Sequence, residues 1–252
     1  MMLNPVYPAL ALKQIIYLMP VLYHSTFCPH SRFIRLVTAE LDMDVDMVEE
    51  RSFERRPEFL ALNPAGTTPV IMEGGSFIVP EANVIAEYLD ETRGLVMGDK
   101  RLLPDSPAAR VEVRRLMHWF NAKFFDEVSN YLVQEKIYKR FMTNDQARQF
   151  GGLSPDTNLV RAARSNIKYH LSYIGYLTRQ RNWLAGDQLS YADLAAAAHI
   201  SVCDYLSDVP WGEDSQAKDW YARIKSRPSF RGILADRMPG TPPSEHYSNL
   251  DF

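Results

Sequence analysis

The sequence predicts an α/β domain followed by an all-α domain. Up to Arg93, short apolar runs of strand length alternate with segments of helical periodicity. Two of these runs are joined by Glu73-Gly74-Gly75, and a Gly-Gly pair permits the positive φ angles of a tight hairpin. Beyond residue 106, every apolar pattern has a helical period. The predicted divisions are an N-terminal extension (1–18), the α/β domain (19–93), a linker (94–106), the all-α domain (107–237) and a C-terminal tail (238–252).

The overall composition excludes several classes of protein. Of the 252 residues, 46% are hydrophobic, which is enough for a substantial folded core. A net charge of −3 argues against nucleic acid as the main partner, since binding to phosphates needs a basic surface. Cys28 and Cys203 lie in different halves of the chain, which excludes a disulfide framework and a four-cysteine zinc site. The six histidines form no i, i+4 ligand pair, so we expect no metal site, and the sparse cysteines favour a cytoplasmic location.

The first eighteen residues are apolar but interrupted. Two prolines, Lys13 and Gln14 break the run, which is too short to span a bilayer. It also lacks the basic region with which a signal peptide begins. We therefore expect an extension outside the fold, no membrane insertion, and a first strand that follows Met19-Pro20.

The order of elements in the α/β half is β-α-β, a short helix, and then β-β-α. This order is that of a thioredoxin-like domain. A doubly wound dinucleotide fold would need more strands and a glycine-rich first turn. The predicted elements are strand Val21–Tyr23, a helix from His30 to about Leu41, strand Val45–Val48, a short helix near Arg56–Leu60, strands Val70–Met72 and Ser76–Val79, and helix Glu81–Thr92.

The second half contains helical patterns of different lengths. Ser190 and Asp193 have the spacing of a capping box, with Asp in place of the usual Glu or Gln. The helix that follows them is almost wholly apolar, so we expect it at the centre of the domain. The predicted helices run from Pro107 to about Phe141, from the cap Asp156 to about Arg181, and over Leu194–Leu206, Ser215–Ser226 and Pro228–Arg237.

Two corners of the α/β domain could bind a peptide-like anion. Pro69 opens a strand and is a candidate cis proline, which would turn the backbone of Thr68 outward to pair with a ligand as an edge strand does. Pro80-Glu81-Ala82 begins a helix, whose free N–H groups and positive dipole end suit a carboxylate.

This layout resembles the cytosolic glutathione transferases from Val21 to about Arg237. In that family the residue before the cis proline holds the cysteinyl backbone of glutathione, and an acid-serine pair at the next helix start holds its γ-glutamyl end. The resemblance assigns these roles to Thr68 and Pro69, and to Glu81 and Ala82.

Two departures from the family pattern predict that glutathione is bound weakly or not at all. Ala82 lacks the serine hydroxyl, and Thr67 stands where many relatives have a long Lys or Gln. Loss of one hydrogen bond to a charged ligand weakens binding by about tenfold to a hundredfold.

The loop after the first strand carries the catalytic candidates, Cys28 and Ser25. Cys28 precedes a helix N-terminus, a position that lowers a thiol pKa. By the family resemblance, Cys28 could form a mixed disulfide with glutathione, or Ser25 could hydrogen-bond a glutathione thiolate. Both residues could instead be structural, with Cys28 as a small apolar filler and Ser25 as a loop cap.

The C-terminal tail ends on aromatic and acidic residues. Either it packs back over the helical domain, or it docks onto a partner protein. In the docking alternative the partner-binding residues are Tyr247, Leu250, Asp251 and Phe252.

The tail also carries a narrower resemblance. The start Leu22–Ser25, the turn Cys28–Arg32 and the ending Pro-Pro-x-x-His-Tyr-x-x-Leu-Asp-Phe resemble the FzlA group of glutathione-transferase-like proteins, which bind the division tubulin homologue FtsZ. This resemblance implies a non-enzymatic homodimer that acts in the cytoplasm at the division site. In the family layout the arginines near the dimer interface would be Arg93, Arg110, Arg114 and Arg115. The alternative is a glutathione S-transferase or glutathione-dependent thiol transferase that uses Cys28 or Ser25.

Overall fold

The computed structural model describes residues 19–250, so the expectations for Met1–Leu18, Asp251 and Phe252 lie outside the described residues. A mixed four-stranded sheet in the order β2-β1-β3-β4 forms the first domain together with three helices. The elements of this half are β1 (Val21–His24), α1 (Pro29–Glu40), β2 (Asp46–Glu49), α2 (Pro57–Leu62), β3 (Val70–Glu73), β4 (Phe77–Pro80) and α3 (Ala82–Arg93). This order confirms the predicted thioredoxin-like arrangement, with boundaries that differ by one or two residues.

The sheet contains both parallel and antiparallel strand pairs. β1 pairs in parallel with β2 and antiparallel with β3, while β3 and β4 form the predicted hairpin. Gly74 and Gly75 have φ angles of +57° and +75°, which explains why glycine is needed at this turn. The Thr68–Pro69 peptide bond is cis, as expected.

The second half is built from helices and short turns. Its helices are α4 (Pro107–His118), a π-helical stretch (Trp119–Ser129), α5 (Asn130–Lys136), α6 (Asn144–Ala147), α7 (Thr157–Thr178), α8 (Tyr191–Tyr205), α9 (Ser215–Lys225) and α10 (Arg231–Leu234). The predicted linker contains a 3₁₀ segment, Gly94–Lys100, with a kink at Gly98. The last predicted helix, Pro228–Arg237, is a 3₁₀ turn followed by the single turn α10.

The helix that begins at Pro107 differs from its prediction in two ways. It widens into a π-helical stretch at Trp119 and ends at Lys136, not near Phe141. The apolar pattern of this helix predicts that Val111 lies on the buried face, but Val111 is 65% exposed. The other residues that the pattern predicts to be inside agree with the structure, because Leu116, Phe120, Phe124 and Val128 are buried and Trp119 is partly buried.

Helix α8 is the centre of the second domain, as predicted. Every one of its residues is buried. The capping box is present, and the Asp193 carboxylate accepts hydrogen bonds from the Ser190 N–H (3.1 Å) and the Ser190 hydroxyl (2.9 Å). It also accepts from the Leu184 N–H at 2.8 Å and from the Trp220 indole at 2.9 Å. One carboxylate therefore fixes the helix start and two neighbouring segments.

The first and second domains meet along α1 and α8, which pack against each other. The buried core is continuous across this contact. Because α1 begins at the loop that carries the catalytic candidates, the helical domain forms the second wall of any site at that loop. None of the described helices is long and apolar enough to cross a membrane.

Candidate functional site

A cavity of about 270 Å³ lies between the two domains. Four predicted site residues line its first wall: Cys28, Thr68, Glu81 and Ala82. The facing wall comes from the π-helical stretch and α5 with the turn that follows, and it includes Phe125, Asn130, Val133 and Tyr138. The structure thus brings the thiol and both predicted ligand-binding corners to one cavity.

Cys28 is the N-cap residue of α1 and is 8% exposed. Its Sγ lies 3.6 Å from the Thr68 carbonyl oxygen, to which the thiol can donate. Burial raises the pKa of Cys28, but the hydrogen bond and charge of His30 outweigh it and lower the pKa to about 7. About half of a thiol with that pKa is thiolate at neutral pH, and the thiolate is the nucleophilic form.

His30, in the first turn of α1, also lines the cavity. Its Nε2 lies 2.8 Å from the carbonyl oxygen of Asn121, and its ring packs against Phe125 at 4.5 Å. Burial lowers the pKa of His30, but the hydrogen bond and charge of Cys28 raise it more, so the net pKa is raised. The signal in the sequence was the Cys-Pro-His spacing, which places His30 in the first turn beside the thiol.

Ser25 lies beside the thiol cavity but does not line it. It is 5% exposed, and its N–H donates to the Ser31 hydroxyl at 3.1 Å. It lines a second cavity of about 300 Å³. Tyr138 borders both cavities. Burial is the main reason that the pKa of Tyr138 is raised, so its hydroxyl stays protonated.

Sequence reasoning did not find Tyr138 or Asn121. Both residues contact the first domain from positions about a hundred residues further along the chain. No local motif marks them, because their roles depend on how the two domains pack.

The N–H groups at the start of α3 were expected to be free for a ligand carboxylate, but two of them are already hydrogen-bonded. The Glu81 carboxylate accepts the N–H groups of Asn83 (3.1 Å) and Val84 (3.2 Å), so these donors are not free to hold a ligand. Ala82 is buried and has no hydroxyl to replace them. This corner therefore lacks the serine hydroxyl of the family pattern, and two of its N–H groups are already hydrogen-bonded.

The tail divides into a buried part and an exposed part. Tyr247 is fully buried; its hydroxyl accepts from Arg32 at 3.3 Å and donates to the Ile233 carbonyl at 3.0 Å. The expectation that Tyr247 is a partner-binding residue is therefore corrected, because this side chain fills the core and no surface of it is left for a partner. Leu250 is 41% exposed, and Asp251 and Phe252 lie outside the described residues.

Helices α3 and α4 present a mixed apolar and charged face. Arg114 on α4 makes a bidentate ion pair with Glu87 on α3, in which both N–O distances are 2.7 Å. Val84 and Val111, which belong to the same two helices, are 51% and 65% exposed. Among residues 19–250 no cluster of three or more His, Cys, Asp or Glu side chains could hold a metal ion.

Comparison with known proteins identifies the family. The family model for the glutathione S-transferase N-terminal domain matches residues 22–98. FtsZ-localized protein A of Caulobacter vibrioides is 42% identical over 234 residues, which cover 92% of this chain and 97% of that protein. Among solved structures, a glutathione S-transferase from Sinorhizobium meliloti has a TM-score of 0.89 at 48% identity, and FzlA from C. crescentus has a TM-score of 0.83 at 41% identity. Each of these two matches covers 93% of this chain and 100% of the other. The chain therefore belongs to the glutathione S-transferase superfamily and, within it, to the FzlA group.

Proposed function

We propose that this protein is a non-enzymatic, FtsZ-binding regulator of bacterial cell division. The observation that carries the proposal is the 42% identity to FtsZ-localized protein A along nearly the whole length of both chains. The match covers 92% of this chain and 97% of that protein, so it extends over both domains.

The geometry of the cavity supports a role other than glutathione transfer. Glu81 binds the N–H groups of its own helix, and Ala82 has no hydroxyl. The acid of the family's acid-serine pair is therefore kept, but its serine hydroxyl is not. Loss of such charged hydrogen bonds is expensive for a small ligand.

We assign partner binding to the exposed end of the tail. Tyr247 anchors the segment in the core, and the three described residues that follow it, 248–250, are exposed. Leu250 supplies exposed apolar surface, and the proposal gives Asp251 and Phe252 the charged and aromatic contacts. The protein is proposed to act as a homodimer in the cytoplasm at the division site.

Co-sedimentation with FtsZ polymers tests the proposal. The unmodified protein should pellet together with polymers assembled with GTP and stay in the supernatant without FtsZ. A matched chain that ends at Ser248 keeps Tyr247 and should lose most of the pelleted fraction. If the unmodified protein stays in the supernatant with polymers present, the division role is rejected.

A second candidate function follows from the chemistry of Cys28. A thiol with a pKa of about 7 that opens to a cavity can attack a disulfide. A glutathione-dependent thiol transferase would use Cys28, whereas Cys203 is fully buried and its pKa is raised, chiefly by burial.

An assay for the reduction of a glutathione mixed disulfide distinguishes the thiol transferase from the non-enzymatic division regulator. Cys28→Ala should abolish the activity and Cys203→Ala should retain it. Equal activity in the unmodified protein and Cys28→Ala would remove Cys28 as the nucleophile and leave Ser25 as the catalytic candidate.

A further inference from the structure

We propose that His30 is the proton acceptor for the Cys28 thiol, and that Asn121 of the helical domain is a positioning residue that holds His30 in place. The inference concerns the reactivity of this thiol and goes beyond FtsZ binding. It stands on the hydrogen bonds that connect α1, α3, α8 and the π-helical stretch.

The contact between His30 and Asn121 determines which ring nitrogen carries the proton. Nε2 of His30 lies 2.8 Å from the backbone carbonyl oxygen of Asn121. A carbonyl oxygen only accepts, so Nε2 must be the N–H. In the neutral ring, Nδ1 is then the nitrogen with a free lone pair. Cys28 lies two residues earlier at the N-cap of the same helix, and Cys28 and His30 line the same cavity. The Thr68 carbonyl oxygen, 3.6 Å from Sγ, can accept a hydrogen bond from the thiol but cannot take its proton, so the His30 lone pair is the base within reach.

Asn121 is itself held by two hydrogen bonds of its side chain. Its Nδ2 donates to Asn83 Oδ1 at 2.7 Å, and its Oδ1 lies 3.1 Å from His199 Nε2. Since Oδ1 can only accept, His199 carries its proton on Nε2. His199 Nδ1 then accepts from the Ser129 hydroxyl at 2.7 Å. Each group in this hydrogen-bond network has one consistent role. The two side-chain bonds hold Asn121 against α3 and α8, and they thereby hold in place the backbone carbonyl that orients His30.

Burial makes these contacts strong. Asn121 is 6% exposed and His199 is fully buried. Asn121 lies in the π-helical stretch, and such widened turns occur often at functional sites. Asn83 is in the first turn of α3, so Asn121 connects the thiol side of the cavity with the Glu81 side.

The other titratable groups around the pair do not replace His30. Burial, together with the charge of His30, keeps His199 neutral by lowering its pKa well below its ordinary value. Burial raises the pKa of Tyr138, so this hydroxyl remains protonated. The charge of Glu81 favours protonated His30. The α1 N-terminus also favours a thiolate, and the experiment must separate that effect from His30.

The test is the pH dependence of Cys28 alkylation by iodoacetamide. The thiolate displaces iodide, so an S–C bond forms as the C–I bond breaks, and the rate follows the thiolate fraction. The midpoint of the pH–rate profile is the readout, because intrinsic nucleophilicity itself changes with the thiol pKa. Cys28→Ala gives the background from Cys203.

His30→Gln is the direct variant, because its amide can still donate to the Asn121 carbonyl but cannot accept a proton from the thiol. Helix α1 and its N-terminus stay in place. We expect the midpoint to move from about 7 to the ordinary thiol value of 9.0 or above. An unchanged midpoint would show that the helix N-terminus alone ionises the thiol, and the proposal would be overturned.

Asn121→Ala tests the positioning role. Removing its two side-chain hydrogen bonds should raise the midpoint by roughly one unit, about the effect of a single hydrogen bond. Asn166→Ala is the matched control: Asn166 donates to the Glu127 carbonyl at 3.0 Å but does not contact His30 or Asn121. If Asn121→Ala lowers only the melting temperature and leaves the midpoint unchanged, its role is structural.

A measurement on Cys28→Ala keeps the test independent of the folding of the His30 variant. An NMR titration should show a lower pKa for His30 than in the unmodified protein, because the thiolate charge that raises it is gone. An unchanged His30 pKa would refute the pairing of the two side chains.

Discussion

Glu81 caps the start of α3 with its own side chain. Its φ angle of +76° is unusual for a residue other than glycine, and it directs the carboxylate onto the N–H groups of Asn83 and Val84. These two N–H groups at the start of α3 therefore have a hydrogen-bond acceptor in the protein itself. Ala82 offers no hydroxyl beside them.

Restoring the missing hydroxyl should recover part of the glutathione affinity. We expect the unmodified protein to bind reduced glutathione no more tightly than the millimolar range in calorimetric titration. Ala82→Ser should strengthen binding by about tenfold, the contribution of one hydrogen bond to a charged ligand. Ala108→Ser, the same change at an exposed position on α4, should have no effect. A dissociation constant of tens of micromolar for the unmodified protein would favour the enzyme.

Asp193 is the single residue on which we expect stability to depend most. Four hydrogen bonds end on its buried carboxylate, and Asp193→Ala would leave the buried Trp220 indole and the Leu184 N–H without an acceptor. The free energy of unfolding should fall by about 3 kcal/mol or more. Urea unfolding measures this change, with the exposed Asp219→Ala as the control. A loss equal to that of the control would contradict the account.

At the scale of elements, Glu112 links α4 to the segment after α7. It pairs with Arg115 at 2.9 Å and with Arg181 at 2.7 Å. The hydrogen bond from Arg115 is the main cause that lowers the pKa of Glu112 to about 2. A carboxylate with a lowered pKa in the folded state stabilises the protein above its ordinary pKa of 4.5, and this contribution is lost as the pH falls toward 2.

Glu112→Gln should therefore destabilise the protein most at neutral pH. We expect a loss of about 1–2 kcal/mol at pH 7, after allowance for screening by solvent. The difference from the unmodified protein should become smaller as the pH is lowered through 4.5. Urea unfolding at several pH values measures it, and a difference that does not change with pH would show that the pair does not act through the charge of Glu112.

Local patterns predicted the elements that depend on nearby residues. The hairpin followed from Gly74-Gly75, and the start of α8 followed from Ser190 and Asp193. The π-helical stretch was not predictable, because its composition is that of an ordinary amphipathic helix. The inner face of the same helix was predictable, since Leu116, Phe120 and Phe124 are buried, and Val111 is the exception.

The candidate site was predictable only on the side that the first domain supplies. Cys28, Thr68 and Glu81 stand at turns and helix starts with clear sequence signals. Asn121 and Tyr138 reach the site through domain packing, which leaves no local signal. The burial of Tyr247 depends on Arg32, a contact across 215 positions of the chain.

At the scale of the whole molecule, the α3–α4 face is our proposed dimer interface. Exposed Val84 and Val111 lie on the two helices that the Glu87–Arg114 ion pair connects, so apolar and charged groups are presented together. Val111→Glu would bury an unpaired charge in a dimer. Sedimentation velocity should show a shift from dimer to monomer for this variant.

Val96→Glu is the control, because Val96 is 86% exposed in the turn after α3 and away from the Glu87–Arg114 pair in sequence. It should leave the dimer intact. Equal sedimentation of both variants as dimers would place the interface elsewhere.

The central claim is that the tail, and not the thiol site, mediates association with FtsZ. Its most direct test compares Asp251→Lys with Cys28→Ala in co-sedimentation with FtsZ polymers at low and high salt. Asp251→Lys should fold and dimerise normally, because the proposal places this charge in solvent, where one charge contributes little to stability. It should lose most of its binding, and the loss should be larger at low salt, where charge attraction is least screened. Cys28→Ala should pellet like the unmodified protein. Full binding by Asp251→Lys together with loss of binding by Cys28→Ala would contradict the account.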